Sequence, residues 1–287
     1  MKNIYIITPA WNIKDKKDFF KGVKTLENLK FTILNKKFLL KPLSIKQKVN
    51  QLHNAFLNKN VDIILAQRGG YGCIKLLPYI NFDIIKNNPK IFAGFSDLSV
   101  LLNTIYEKTK IITLHSPMLI NFSDVSDFTL KSFMNAIYGF EEKNLFRNVK
   151  IKVYKNGKTQ GILKGGNLVT LTSTIATQWE INTKNCILFL EEVDEQLYKI
   201  DRVLTQWILA GKFNNIKGLI LGNFRGVKTD DVYKIIKEQT KLNIPVLSCD
   251  YIGHIKNKIT LPVGAEVELN TYNKSLTIIN FELPKIN

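Results

Sequence analysis

Few side chains in this 287-residue chain can do covalent or proton-transfer chemistry, so each can be weighed in turn. Ser96 follows a short apolar run, Ile91-Phe92-Ala93, that reads as a buried strand ending at Gly94. Beyond Asp97, the apolar residues Leu98, Leu101, Leu102 and Ile105 recur at helical spacing. Ser96 therefore stands at a strand-to-helix corner. Such a corner lifts Oγ out of the sheet and aims the first unpaired helix N–H groups at whatever the serine attacks. A Ser-Asp pair before a helix also serves as a plain N-cap, and the G-x-S-x-G pattern is incomplete, so the corner alone leaves both readings open.

There are only three histidines. His53 falls within a helix, on or near its buried face, and reads as structural. His115 and His254 both come just after strands. Glu191 and Glu192 end the apolar strand Cys186–Leu190, where a carboxylate can orient an imidazole, and one of the two is expected to face solvent. A serine with a histidine base and a carboxylate partner is the best assembly these residues allow, in the chain order Ser96, Glu191, His254. His115 stands as the rival base. Glu195, Tyr198, Asp201 and Arg202 read as a network on a helix surface. Arg68-Gly-Gly-Tyr-Gly72 follows a strand and opens a helix. Its glycines let backbone N–H groups approach a ligand, as an oxyanion hole or anion site does, but it matches neither G-x-G-x-x-G nor a phosphate-binding P-loop. No H-x-x-x-H or H-E-x-x-H pair occurs, so no metal and no cofactor is expected. Cys73, Cys186 and Cys249 are far apart among apolar neighbours and read as reduced thiols of a cytoplasmic protein.

These residues must be carried by elements that alternate. Strands are expected at 3–8, 31–34, 61–66, 91–93 and 110–114. Helices are expected at 15–29 and 44–57, through Leu76 and Leu77, and after Ser96. That order implies a parallel sheet with helices on both faces and ligands at the strands' carboxyl ends, where the Arg68 loop, Ser96 and His115 lie. Residues 121–160 look polar and irregular around a helix at 129–137, with a linker in their second half. From Gly161 the texture becomes α+β. A Gly-rich turn (161, 165–167) leads to a helix at 168–175, the strand at 186–190 and a long helix from about 195 to 210. Strands follow at 218–222, 245–248, 265–269 and 275–279. Two domains are expected, 1–145 and 160–287.

Composition narrows the partners. Hydrophobic residues make up 45% and charged residues 23%, the balance of a globular chain. No apolar run is long enough to span a bilayer, and the start, MKNIYIITPAW, lacks a signal-peptide pattern. The net charge is +17, but the lysines are scattered, with no arginine-rich tract or basic stripe interleaved with aromatics. A solvated basic surface suited to acidic small substrates is expected, with neither nucleic acid nor membrane as partner; the remote rival is a non-enzymatic basic protein that binds nucleic acid.

Six segments in order carry a family resemblance: RGGYG (68–72), GFSDLS (94–99), TLHSPM (113–118), GGNL (165–168), LEEVDEQLYKIDR (190–202) and GHIKNKITLPVG (253–264). They resemble the LD-carboxypeptidases, the muramoyltetrapeptide carboxypeptidases of murein recycling, a family that includes microcin C immunity peptidases. The resemblance implies a flavodoxin-like N-terminal domain and a smaller β-rich C-terminal one. It implies Ser96 as nucleophile, Glu191 as carboxylate and His254 as base, with the N–H groups of Gly70 and Asp97 as oxyanion hole. Arg68 and Asn167 are expected to touch substrate. A murein tetrapeptide losing its terminal D-alanine, and a homodimer, complete the expectation. The rival substrate is a peptidyl-nucleotide, whose base would stack on an aromatic such as Trp179 or Trp207. Ser116 stands where the family commonly has glycine, which questions the local turn.

Overall fold

The computed structural model describes residues 1–282. Five parallel strands, β1 (Asn3–Ile7), β2 (Thr32–Ile33), β3 (Ile63–Ala66), β4 (Ile91–Gly94) and β5 (Thr113–His115), form a sheet in the order β5-β4-β3-β1-β2. This is the flavodoxin-like order, reversing direction between β1 and β3. Helices α1 (Lys16–Asn28), α2 (Ile45–Leu57), α3 (Phe82–Asn87), α4 (Ser99–Thr109) and α5 (Asp127–Ile137) accompany it. Local chemistry sets their ends. The Asp15 carboxylate accepts the Lys17 N–H at the start of α1, and Ser44 and Gln47 form a reciprocal capping box on α2. Helix α4 ends at Lys110 in the left-handed conformation, so β5 begins only at Thr113, later than its apolar pattern suggests.

The second sheet holds β6 (Lys152–Lys155), β7 (Lys158–Asn167), β8 (Cys186–Val193), β9 (Gly218–Arg225), β10 (Val246–Ser248), β12 (Glu266–Asn270) and β13 (Ser275–Asn280), in the order β13-β12-β7-β8-β9-β10-β6. Its central four strands, β7 to β10, are parallel, and antiparallel pairing is confined to its margins. Helices α6 (Leu168–Thr172), α7 (Leu197–Leu209) and α8 (Thr229–Gln239) cover one face. The other face packs on the first half. Along β8 the alternation is explicit: Cys186, Leu188 and Leu190 enter the core under α6–α8, whereas Ile187 and Phe189 enter the core shared with the first sheet.

Two expectations change here. Residues 152–167 are not a linker and turn but strands β6 and β7. Gly165 and Gly166 permit close approach: a Cβ on Gly165 would stand 1.8 Å from the Phe189 carbonyl oxygen, and one on Gly166 would stand 2.3 Å from the Ser99 Oγ. The halves are also not divided at one boundary. β11 (Leu261–Val263) returns to the first sheet, antiparallel to β5, and the main core draws on both halves. Among the described residues no helix is long and apolar enough to cross a membrane, and no group of three or more His, Cys, Asp or Glu could hold a metal ion.

Candidate active site

The carboxyl ends of parallel strands from both sheets converge on Ser96. It opens a 3-10 turn, Ser96–Leu98, between β4 and α4. Its φ is +66°, a left-handed conformation that a serine adopts only when its surroundings impose it. This is the strained elbow that the incomplete motif left open. Gly69, after β3, faces it so closely that a Cβ there would lie 2.8 Å from the Ser96 Oγ. Gly70 follows with φ +127°. Among the described residues, no hydrogen bond within the protein engages the N–H of Gly70 or of Asp97. The Asp97 carboxylate instead accepts the Cys73 N–H at 2.9 Å, which braces the Gly70 loop against the elbow.

His254 comes from the loop after β10, and Glu191 from β8. His254 Nε2 lies 2.9 Å from the Ser96 Oγ, and its Nδ1 lies 2.8 Å from Glu191 Oε2. Glu191 is fully buried. Burial, the largest single influence, would raise its pKa, but His254, through charge and hydrogen bond, together with His115 and Asn167 outweighs it, and the carboxyl is held below its ordinary range. Gly253 permits the approach, since a Cβ there would stand 2.7 Å from Glu191 Oε2. The His254 ring leans on Phe95, with centroids 4.8 Å apart. The Lys258 ammonium lies over Phe95 at 4.1 Å, and burial pulls its pKa down to about 8.

It is His254, and not His115, that the structure brings to the Ser96 Oγ. His115 is buried edge-on between Phe95 and Phe189, at 5.7 and 5.2 Å, and among the described residues neither ring nitrogen has a hydrogen-bond partner. Burial lowers its pKa to about 4, so the ring is neutral at pH 7. Ser116 fits its turn without a glycine conformation: its N–H donates to the Gly94 carbonyl at 2.9 Å, and its φ is not positive. His53 accepts the Asn81 N–H through Nε2, a structural contact.

Two further expectations are corrected. Neither glutamate faces solvent, because β8 is covered on both faces. Glu192 turns toward α6, where it accepts the Asn167 Nδ2, Val169 N–H and Val193 N–H, each at 2.8 Å. Burial still raises its pKa to about 7. Asn167, expected to touch substrate, is buried, with its amide nitrogen on Glu192 and its amide oxygen on the Thr170 N–H. It anchors the strand end instead. The same strand end is tied to α4: the Asn103 amide pairs with both the N–H and the carbonyl of Gly165, and the Ser99 Oγ accepts the Asn167 N–H. A buried polar strap thus runs from the helix behind the serine to the strand bearing Glu191. Of the aromatics considered, Trp207 is fully buried with its indole N–H on the Thr172 hydroxyl, and Trp179 is half-buried against the core. Trp11, which sequence reasoning passed over, is 53% exposed and packs on the Cα of Gly70.

Two family models match this chain, the LD-carboxypeptidase N-terminal domain over residues 4–116 and the LD-carboxypeptidase C-terminal domain over 160–269. A probable murein peptide carboxypeptidase of Bacillus subtilis is 32% identical over 81% of this chain and 76% of its own. The chain belongs to the LD-carboxypeptidase family. A second relative, the microcin C7 self-immunity protein MccF of Escherichia coli, is 29% identical over 92% of this chain and 88% of its own. Among solved structures, an MccF-like protein from Bacillus anthracis superposes with a TM-score of 0.87 at 27% identity, covering 98% of this chain and 97% of the other. Within this family the Ser96 elbow, the Gly70 loop and the Glu191 strand end all fall inside the matched segments, as does the loop bearing His254.

Proposed function

We propose that this protein is a serine carboxypeptidase that cleaves the amide between an L-centre of diaminopimelate type and the terminal D-alanine of a murein tetrapeptide. The reading includes a cytoplasmic role in peptidoglycan recycling and action as a homodimer. The observation that carries the chemistry is the continuous chain from Ser96 Oγ through His254 to buried Glu191.

With the proton on Nδ1 held by Glu191, the free Nε2 takes the Ser96 proton as Oγ attacks the carbonyl carbon. The Gly70 and Asp97 N–H groups receive the oxyanion, typically the largest single contribution. The imidazolium, stabilised by Glu191, then protonates the departing amine and D-alanine leaves. Water, deprotonated by His254, attacks the acyl-serine, releases the tripeptide and restores the hydroxyl.

The test is mass spectrometry of a murein tetrapeptide incubated with the protein, which should show loss of one alanine and an otherwise intact peptide. Cleavage at an internal bond, or activity abolished by a chelator, would overturn it. The second reading, cleavage of a peptidyl-nucleotide, is favoured by the likeness to MccF and by the exposed indole of Trp11 beside the Gly70 loop. Running both substrates side by side separates the two.

A further inference from the structure

The strand order of the first sheet reverses between β1 and β3, and a crevice at such a reversal is where open α/β sheets take their ligands. The serine, however, lies one strand away, at the end of β4. At that reversal stand Trp11, just past β1, and Arg68, just past β3. The two loops are joined by a hydrogen bond from the Trp11 N–H to the Gly69 carbonyl. One part of the Trp11 ring lies on Gly70, where a Cβ would stand 2.5 Å from the indole, so Gly70 and Trp11 are matched in shape. The rest of the ring is open to solvent.

The Arg68 guanidinium lies 5.8 Å from the indole centroid. Among the described residues its one hydrogen bond is a 3.4 Å contact to the Asn12 carbonyl, and no carboxylate lies within ion-pair distance of it. Lys48, on the Ala10 carbonyl with the buried Asp97 carboxylate as a charged neighbour, and Lys75, over the Tyr71 ring at 4.7 Å, extend the same positive lip. An arginine with most of its donors unused beside an exposed aromatic face is built for a planar anion on an apolar stem.

We infer that Trp11 and Arg68 form the subsite that receives a side-chain carboxylate of the substrate peptide, with the carboxylate on the guanidinium and its aliphatic stem on the indole. This deepens the carboxypeptidase reading and rests on it for the identity of the peptide. It makes the pair specificity-determining residues, one strand removed from the bond that breaks.

The experiment uses the tetrapeptide and the same peptide with its side-chain carboxylates amidated. Binding of each to the Ser96→Ala protein is measured by calorimetry, and turnover of each is measured in the Ser96 protein. Arg68→Met and Trp11→Ala should each weaken binding of the carboxylate peptide about tenfold or more, the scale of one charge-assisted hydrogen-bonded contact. They should raise KM to match and leave kcat within about twofold, the pattern of uniform binding loss. On the amidated peptide, which should already bind weakly, the same substitutions should change little. Arg68→Lys should restore only part of the loss. Equal losses on both peptides, or none on either, would overturn the subsite. So would a Trp11→Ala defect confined to a nucleotide-bearing substrate, which would show base stacking instead. Carboxylate-dependent binding without turnover in the Ser96 protein would keep the subsite and sink the carboxypeptidase reading.

Discussion

At the carboxyl ends of β3 and β4 the geometry is made by backbone: a serine at φ +66°, glycines that let the chain crowd its Oγ, and two N–H groups with no partner among the described residues. At the carboxyl ends of β7 and β8 it is made by side chains: Glu191 on His254, Glu192 on three donors, and Asn167 on Glu192 and Thr170. On the proposed reading the first edge receives charge and the second, through Glu191, holds it in place. The strap of Ser99 and Asn103 against Gly165–Asn167 keeps the two edges in register. This division indicates where each edge is vulnerable. The backbone edge should fail through the reacting atom, and the side-chain edge through loss of a fixed charge.

The largest effect expected is on the atoms that react. Ser96→Ala and His254→Ala should each lower kcat on the order of 10⁶-fold, and the double variant should be hardly worse, because the pair acts as a unit. Thermal unfolding of Ser96→Ala should be unchanged or slightly improved, since alanine removes a hydroxyl and keeps the elbow's size. A His254→Ala protein of undiminished rate, with His115→Ala inactive, would transfer the base role to His115 and leave the two edges without their division of labour.

Next comes the fixed charge. Glu191→Gln should lower kcat by about 10⁴-fold while sparing KM, because the imidazolium loses its counter-charge and the tautomer is no longer enforced. Glu192→Gln, one residue on, should act differently. Its new amide group must face some of the three donors that now point at the carboxylate. The expected cost is about 1–3 kcal/mol of stability, read by denaturant unfolding, with roughly a tenfold fall in rate. A larger catalytic defect at 192 than at 191 would show that the roles of the two glutamates are exchanged.

That pair also marks where the sequence stopped being legible. The corner at Ser96 could be read because strand, glycine, serine and helix are local in the chain, and so could the Arg68–Gly72 loop. The exposure of Glu192 could not, because it depends on α6 covering the far face of β8, a tertiary fact. Asn167 was misjudged for the same reason: a polar residue in a glycine-rich segment looks available until its partners from β8 and α6 are placed. β7 was hidden by glycines that read as a turn but serve close packing. The short return of Leu261–Val263 to the first sheet gave no sign, since three apolar residues do not reveal which sheet they join. Helix α8 did carry a signal, Asp230 and Asp231 in its first turn and Val232 and Ile236 at helical spacing, and was nevertheless passed over.

The smallest effect expected separates the two histidines by pH instead of by rate. His115 is buried with Glu191, His254 and Lys258 as its titratable neighbours, and its pKa falls from the ordinary 6.5 to about 4, chiefly through desolvation. The unfolded chain therefore binds a proton between those pH values that the folded protein refuses. Stability from this group is present above pH 6.5 and is lost as pH falls toward 4, by up to about 3 kcal/mol. Glu192 works in the opposite sense. Its pKa is raised from 4.5 to about 7, so the folded state holds the proton longer and stability falls as pH rises through that interval. The two windows overlap, so the wild-type melting curve alone will look flat. The difference between wild type and His115→Gln removes the shared contribution. That difference should favour wild type increasingly as pH is raised from 4 to 6.5 and then level off. A difference independent of pH would mean that His115 titrates normally, and its burial between Phe95 and Phe189 would then have to be relieved in solution.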